Sequence, residues 1–284
     1  MFKISSHPTQ NLELAFLEDI HRYYDSNGNR YQGITTLIKS WFPQFDSLAI
    51  ATACSKKESK PECFGKDPQE IVDMWAKTSK DACDFGNDLH SFAEYLLESP
   101  DNTRFIWKGE KDKLTPQQDR VIQAKECLVN FIDNNLLREY EILSPEFLIF
   151  SPDLKIATMI DVLARHKKTG DILIGDWKSN RKIDKKSFYN RATGEYKMGL
   201  KQLDFVQDSN YQHYALQVNL CQRILEREGY FPRGTKFIKK IYHIHEDKRK
   251  KLDKFSIKEY TIRDKKKAID IMMYVREQEV NNKF

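Results

Sequence analysis

Cysteine is scarce in this 284-residue chain, which contains five, an odd number, with no CxxC pair. Disulfide-stapled secreted domains use even sets of cysteines, and zinc knuckles use CxxC pairs. We therefore expect neither a disulfide framework nor a zinc knuckle. A reducing, intracellular compartment fits this composition best.

Long apolar runs are also missing. The opening segment, residues 1–16, lacks the basic-then-apolar pattern of a signal peptide. No later apolar run approaches the ~18 residues needed to span a bilayer. We expect a protein that is not secreted, has no membrane partner and resides in the cytoplasm.

The chain has no GxxxxGK[ST] phosphate-binding loop, no internal repeat and no low-complexity linker. An ATP-driven motor is therefore not expected, nor is ATP as a cofactor. With 40% hydrophobic residues, the chain can bury one sizeable core. We predict a single domain over residues 1–284. The net charge of +5 matters for nucleic acid only where it is concentrated.

Hydrophobic periodicity predicts an α/β protein in three parts. Residues 1–139 are predicted to be mostly helical, with a leading hairpin at 20–33, a helix opened by Thr35 and Thr36, and helices near 68–98 and 116–137. Residues 140–247 are predicted to form the catalytic core, in which strands at 146–151, 155–166 and 171–179 make an antiparallel meander. A helix at 211–227 and a strand at 235–245 follow it. Residues 248–284 are predicted to end the chain in a helix.

Two acids and a lysine lie on neighbouring strands of this meander. Asp161 ends one apolar run, and Asp176, Trp177 and Lys178 end the next, fifteen residues after Asp161. Side chains alternate along a strand, so Asp176 and Lys178 share a face while Trp177 points into the opposite layer. Two converging carboxylates repel each other unless a cation lies between them, and oxygen ligands suit Mg²⁺ or Mn²⁺. Such an ion beside a lysine favours phosphodiester hydrolysis.

The segments M-I-D-V-L-A-R and I-G-D-W-K-S-N resemble the core hairpin of PD-(D/E)XK nucleases of the RecB and lambda-exonuclease type. This group includes phage and viral exonucleases and mitochondrial genome maintenance exonucleases. The resemblance implies a restriction-endonuclease-like core, a mixed central sheet flanked by helices, with a helical N-terminal elaboration. It implies a Mg²⁺- or Mn²⁺-dependent deoxyribonuclease. The metal would be bound by Asp161, Asp176 and the backbone carbonyl of Trp177, with Lys178 as a catalytic residue.

The same resemblance assigns further residues. Gly86-Asn87-Asp88-Leu89-His90 is similar to a GxxxH helix whose histidine is a metal ligand, and Glu94 shares a helix face with His90. Glu146 lies where relatives carry another acid near the site, which gives it a catalytic role in binding a second metal ion or a water molecule. Residues 211–226 are similar to a helix with a QxxxY signature, which gives Gln217 a role in contacting DNA or bracing the metal site. Cys221 stands at the tyrosine position, so Gln212 or Tyr214 could supply the equivalent contact.

Positive charge is concentrated directly after Lys178. Residues 178–201 contain eight basic residues against two acidic ones, interleaved with Phe188, Tyr189 and Tyr196. Cations with aromatic side chains suit phosphates and unpaired bases. Including the likeness of residues 31–40 to the opening segment of the viral exonucleases, the predicted DNA-binding residues are Thr35, Thr36, Arg181, Lys182, Lys185, Lys186, Tyr189 and Gln217. A second basic group could extend this surface: Lys236, Lys239, Lys240, Lys248, Arg249, Lys250 and Lys251.

Cysteine and histidine positions bear on two further metal sites. Some helicase-associated relatives carry an iron–sulfur cluster built partly from C-terminal cysteines, but this chain has no cysteine after Cys221, so we expect no cluster. His243 and His245 share a strand face, which suits either a second metal site with Glu246 or plain exposed strand polarity, and we favour the latter.

The leading hypothesis is an exonuclease that processes DNA ends in recombination, replication or repair. It would act on linear duplex ends or single strands, in the host cytoplasm if phage-encoded. A recombinase, a single-strand-binding protein or a separate helicase are the protein partners that such a role allows. The alternatives are a structure-specific or single-strand endonuclease and, from another class, an inactive DNA-binding or assembly factor.

Overall fold

A computed structural model of the chain describes residues 2–99, 114–247, 249 and 254–282. The strands and helices, in chain order, are β1 (Phe2–Ser6), β2 (Glu13–Leu17), β3 (Arg22–Asp25), β4 (Arg30–Gly33), α1 (Ile34–Lys39), α2 (Ser47–Cys54), α3 (Pro68–Glu98), α4 (Pro116–Phe131), α5 (Leu137–Glu139), β5 (Tyr140–Ser151), β6 (Ile156–His166), β7 (Ile172–Lys178), β8 (Tyr189–Asn190), β9 (Glu195–Tyr196), α6 (Asn210–Arg227), β10 (Phe237–Glu246), β11 (Phe255–Thr261) and α7 (Lys266–Asn281). A π-helical turn, Ile132–Leu136, joins α4 to α5. Among these helices, none is both long and apolar enough to cross a membrane.

Nine strands form one mixed sheet in the order β1-β2-β3-β4-β6-β7-β10-β11, with β5 also paired to β6. The β4–β6 and β7–β10 pairs are parallel and the other pairs are antiparallel. Helices cover both faces of this sheet. The predicted fold class, α/β with a mixed central sheet flanked by helices, is therefore confirmed, as is the predicted antiparallel meander of β5, β6 and β7.

The sheet forks at β6. Strand β5 pairs along β6 from Ile156 to His166 and so occupies one edge of it. The other edge is divided, because β4 pairs with Ile156 and Ala157 whereas β7 pairs only from Val162 to Arg165. Asp161 lies in the gap between these two pairings. Open α/β sheets commonly bind ligands where neighbouring strands diverge in this way.

Two hydrophobic layers fix the orientation of β7. Ile172 and Ile174 pack with α1, α6 and α7 on one face. Leu173 and Trp177 pack with α3 and α4 on the other. Trp177 is fully buried, with its ring centroid 4.8 Å from that of Tyr242. This alternation leaves Asp176 and Lys178 on the α6 face, as strand geometry requires.

The predicted leading hairpin is present as β3 and β4. Asp25 closes its turn by accepting hydrogen bonds from the backbone N–H groups of Asn27 and Asn29, at 3.0 and 2.8 Å, while Gly28 takes φ = 80°. Two unpredicted strands, β1 and β2, precede it and pair antiparallel. In the N-terminal part, β1 and β2 thus extend the hairpin into a four-stranded ribbon, and helices α1 to α5 follow it.

The C-terminal part also differs from expectation, because the segment 248–284 contains strand β11 before helix α7. The residues of β11, F-S-I-K-E-Y-T, mix polar and apolar side chains, and the strand lies at one edge of the sheet. Lys248, Lys250 and Lys251 of the second basic group lie outside the described residues. Helix α7 runs from Lys266 to Asn281.

Candidate active site

Asp161 is held at the fork by groups from two other elements. The backbone N–H of Trp177 donates a 2.7 Å hydrogen bond to Asp161 Oδ2. His90 Nδ1, from α3, lies 3.4 Å from the same oxygen. The Asp161 side chain is 11% exposed, so water supplies little of its solvation. Strand β7 and helix α3 thus fix this carboxylate from two sides.

Asp176 and Lys178 form an ion pair beside it. Lys178 Nζ lies 2.6 Å from Asp176 Oδ2, and Gln217 Nε2 donates to Asp176 Oδ1 at 2.8 Å. Asp176 is 4% exposed. The ammonium of Lys178 also lies 4.9 Å from the ring centroid of Tyr214, whose hydroxyl accepts a 2.6 Å hydrogen bond from Asn180. Helix α6 therefore braces the acid and the lysine together.

Glu146 reaches the site through an unusual backbone conformation. Pro145 pairs with Val162 and Phe147 with Ile160, so Glu146 lies across from Asp161 on the neighbouring strand. Its φ of 44° is in the left-handed region, which costs a non-glycine residue on the order of 1–3 kcal/mol. Strain of this kind persists where the surrounding structure holds it, and it is concentrated at functional sites.

Helix α3 approaches the end of β7 unusually closely, which explains the glycine of the G-N-D-L-H segment. A Cβ placed on Gly86 would lie 2.8 Å from Ser179 Oγ, closer than real Cβ contacts. Because Gly86 has no side chain, α3 can pack closely against the end of β7. His90, one helical turn later, is brought against Asp161 by the same approach.

His90, Glu146 and Asp161 together fit a divalent cation. One potential ligand atom from each of them lies within 4.8 Å of the other two. Two ligands of one Mg²⁺ or Mn²⁺ ion, each about 2.1 Å from it, are at most about 4.2 Å apart. Small side-chain adjustments would bring this set onto one ion. Carboxylates with one imidazole form a donor set suited to Mn²⁺ as well as Mg²⁺.

Burial shifts the pKa values of the titratable groups around Asp161. It raises the pKa of Glu146 to about 8, with Asp161 adding to the rise, and it raises the pKa of Asp176 to about 6 against the opposing effect of Lys178. Burial also lowers the pKa of His90 to about 4, and Lys178 assists. Burial alone would lower the pKa of Lys178, but Asp176 and Asp161 reverse the shift. His90 is therefore neutral and Lys178 charged near pH 7, the states needed for a metal ligand and an electrostatic catalyst.

No protein-family model matches the chain, and no curated protein matches it. Among solved structures, the chain is similar to a protein from Eubacterium rectale named "Putative exonuclease". The TM-score is 0.39 and the sequence identity 17%, over 71% of this chain and 67% of that one. So distant a likeness assigns no activity to this chain.

The cleft around these side chains also includes residues that the sequence did not single out as functional. The cleft has a volume of about 720 Å³, and His90, Glu146 and Lys178 line it. Lys3, on β1, also lines it and forms an ion pair with Glu94, the acid predicted beside His90. Only the pairing of β1 into the sheet brings Lys3 there, so its local sequence could not have indicated it.

The predicted DNA-binding residues are not among the three potential metal ligands, His90, Glu146 and Asp161. Thr35 and Thr36 are exposed on α1 and do not line the cleft. Gln217 is directed at Asp176, as described above. The segment after β7 carries the others, all exposed: Arg181, Lys182, Lys185, Lys186 and Tyr189. For Trp177, the structure gives its N–H bond to Asp161, and metal binding by its carbonyl stays a prediction.

Two expectations for the last strands are wrong. Lys239 is 4% exposed and forms an ion pair with Asp264, so it does not extend a basic surface. His243 is likewise 4% exposed, and its Nε2 pairs with the carbonyl of Asn180 at 2.6 Å. This histidine is neither exposed strand polarity nor part of a metal cluster among the described residues. It holds the chain just after Lys178 in place.

Proposed function

We propose that this protein is a Mg²⁺- or Mn²⁺-dependent deoxyribonuclease of the PD-(D/E)XK type, which hydrolyses phosphodiester bonds at DNA ends. One observation carries the proposal. A histidine and two acids with ligand atoms within 4.8 Å of one another adjoin a buried Asp176–Lys178 pair at 2.6 Å. Buried carboxylates around one point are costly unless a cation offsets them, and Lys178 alone offsets only part of this charge.

His90, Glu146 and Asp161 would hold the metal ion, and Asp176, which contacts Lys178 and Gln217, would be a further ligand beside them. When bound, the ion polarises the phosphodiester and lowers the pKa of a water molecule that attacks phosphorus. Manganese is the sharper probe, because its preference for nitrogen ligands is stronger than that of magnesium.

The chain's own residues orient and charge the site. The Trp177 N–H fixes Asp161, and Gln217 fixes Asp176, so neither carboxylate must reorganise during the reaction. The Lys178 ammonium offsets the negative charge that builds up on the phosphoryl oxygens in the transition state. The neutral imidazole of His90 keeps its lone pair available at pH 7.

Action on DNA ends is the form of the activity that we favour, in recombination, replication or repair. The exposed cations and aromatics after β7 support DNA as the substrate, because they suit phosphates and unpaired bases. A structure-specific or single-strand endonuclease would use the same metal centre. A recombinase, a single-strand-binding protein or a separate helicase could act beside either enzyme.

The test uses end-labelled linear, nicked and covalently closed DNA with Mg²⁺ or Mn²⁺. We expect the parent to degrade linear DNA, and Lys178→Ala and Asp176→Ala to lose this activity. Lys77→Ala and Asp81→Ala, exposed positions on α3, are matched controls that retain it. Cleavage of closed circles would identify an endonuclease. A parent without metal-dependent cleavage, or equal activity in Asp176→Ala, would instead favour an inactive binding factor.

A further inference from the structure

Five lysines from two separate segments line one groove between the loop after β7 and the start of α7. The groove has a volume of about 730 Å³ and includes Phe205, Gln207 and Gln212 in its lining. Its lysines are Lys185, Lys186, Lys265, Lys266 and Lys267, and we name it the lysine groove. The α7 lysines gave no functional signal in the sequence.

The positive charge of the lysine groove is not neutralised internally. Within the described ranges, no carboxylate lies within 4.0 Å of any of the five ammonium groups, and Asp264, which also lines the groove, pairs with Lys239. Two of the lysines lie over aromatic rings instead. Lys267 Nζ is 4.2 Å from the Phe205 ring centroid, and Lys185 Nζ is 5.6 Å from that of Tyr211. Like charges gathered this closely repel one another, so the arrangement suits an anionic partner.

The loop that carries Lys185 and Lys186 is fastened to the body of the protein. The backbone N–H of Asp184 donates to Asn210 Oδ1 at 2.8 Å. The N–H of Ser187 donates to Gln207 Oε1 at 3.1 Å. The lysines are therefore presented from a fixed backbone, which lowers the entropy lost when they bind a partner.

Helix α7 begins in a way that disfavours its own stability. Its first turn carries Lys265, Lys266 and Lys267, with no acidic residue and no side-chain cap. The positive end of a helix dipole is stabilised by acids and destabilised by lysines, each by about 0.3–1 kcal/mol. Placing three cations there costs stability, whereas the same placement strengthens the attraction of the groove for an anion.

The lysine groove and the active site both adjoin the start of α6, about one helical turn apart. Lys178 Nζ lies over Tyr214, and Lys185 Nζ lies over Tyr211, one helical turn earlier. We propose that the lysine groove binds the sugar–phosphate backbone of the DNA strand whose end occupies the active site. This inference rests on the proposed function. DNA is favoured over an acidic protein segment because Lys185 of the groove and the catalytic lysine Lys178 contact tyrosines one turn apart on α6.

The test measures DNA binding without cleavage, by fluorescence anisotropy with a labelled single strand of about 20 nucleotides in EDTA, over a series of salt concentrations. The groove variant is Lys265→Gln/Lys266→Gln/Lys267→Gln. The matched control is Lys56→Gln/Lys57→Gln/Lys60→Gln, which removes the same charge from exposed positions near α2.

We expect the groove variant to bind about tenfold more weakly, with the slope of log K against log salt smaller by about 2, because each phosphate contact to a single strand contributes about 0.7. The control keeps the parent's slope. The groove variant removes positive charges from the start of α7, so its thermal unfolding midpoint should equal or exceed the parent's. That result would exclude unfolding as the cause of the weaker DNA binding.

Equal slopes in all three proteins would overturn the proposal. So would a groove variant that binds DNA normally but loses affinity for a glutamate-rich peptide, which would assign the groove to a protein partner. Binding is measured without catalysis, so the two proposals can fail separately. If the parent failed the nuclease assay but the groove variant still had a reduced salt slope, the proposed activity would be refuted and the groove would remain a nucleic-acid-binding surface.

Discussion

Replacing Glu146 by glutamine should stabilise the metal-free protein, although Glu146 is a proposed metal ligand. Burial beside Asp161 raises the pKa of this acid from about 4.5 to about 8. A carboxyl whose pKa is raised on folding favours the folded state when protonated. The free energy of unfolding therefore falls as pH rises from about 4.5 to about 8, and Glu146→Gln removes that fall.

The magnitude follows from the size of the shift. Each pKa unit corresponds to about 1.4 kcal/mol, so the interval from pH 5 to pH 8 allows a loss of at most about 4 kcal/mol in the parent. Asp161 shares the negative charge with Glu146, and the site relaxes when Glu146 ionises. We therefore expect a loss of about half of this maximum. Glu146→Gln should then be about 2 kcal/mol more stable than the parent at pH 8, and nearly equal to it at pH 5.

Urea denaturation in EDTA at pH 5 and pH 8 measures this difference. Glu58→Gln, at an exposed position, is the control and should match the parent at both pH values. Adding Mn²⁺ at about 100 times its dissociation constant should stabilise the parent by about 2.7 kcal/mol and the variant by much less, inverting their order at pH 8. A variant less stable than the parent at pH 8 without metal, or a difference independent of pH, would refute the reasoning.

Three further predictions concern the same site. Lys178→Ala should lower kcat by about 10²–10³-fold in a steady-state cleavage assay, with Mn²⁺ binding retained, since this ammonium acts on the transition state. Gln217→Ala should weaken Mn²⁺ binding about 10- to 100-fold by calorimetry, because Asp176 loses the group that orients it. Gly86→Ala should change the free energy of unfolding by less than about 1 kcal/mol in urea denaturation, because the gain in helix propensity offsets the rotation of the Ser179 hydroxyl away from the new methyl group, and adding Ser179→Ala should raise the stability by removing that contact.

The sequence predicted the central hairpin well because its signals are local. Period-two alternation and a short turn determine how β6 and β7 pair, and this pairing brings Asp161 to Asp176 and Lys178. Glu146 could be named only through a resemblance, because its direction depends on a left-handed backbone that its side chain does not encode.

Other features depend on distant pairing and could not be predicted. Lys3 enters the cleft because β1 joins the sheet through β2, a contact between segments with weak local patterns. His243 and Lys239 were expected on a solvated strand face, yet partners from elsewhere in the fold bury both. Short strands such as β11 were missed because mixed polar and apolar residues also suit a helix.

The divided edge of β6 has a mechanical consequence. The strands on either side of Asp161 come from opposite parts of the chain, β4 from the N-terminal ribbon and β7 from the catalytic hairpin, and no ladder joins them at that point. An ion held by His90 on α3, Glu146 on β5 and Asp161 on β6 would therefore join those three elements beside the point where β4 and β7 diverge. Amide hydrogen exchange should then slow in β5 and β6 around Glu146 and Asp161 when the ion binds.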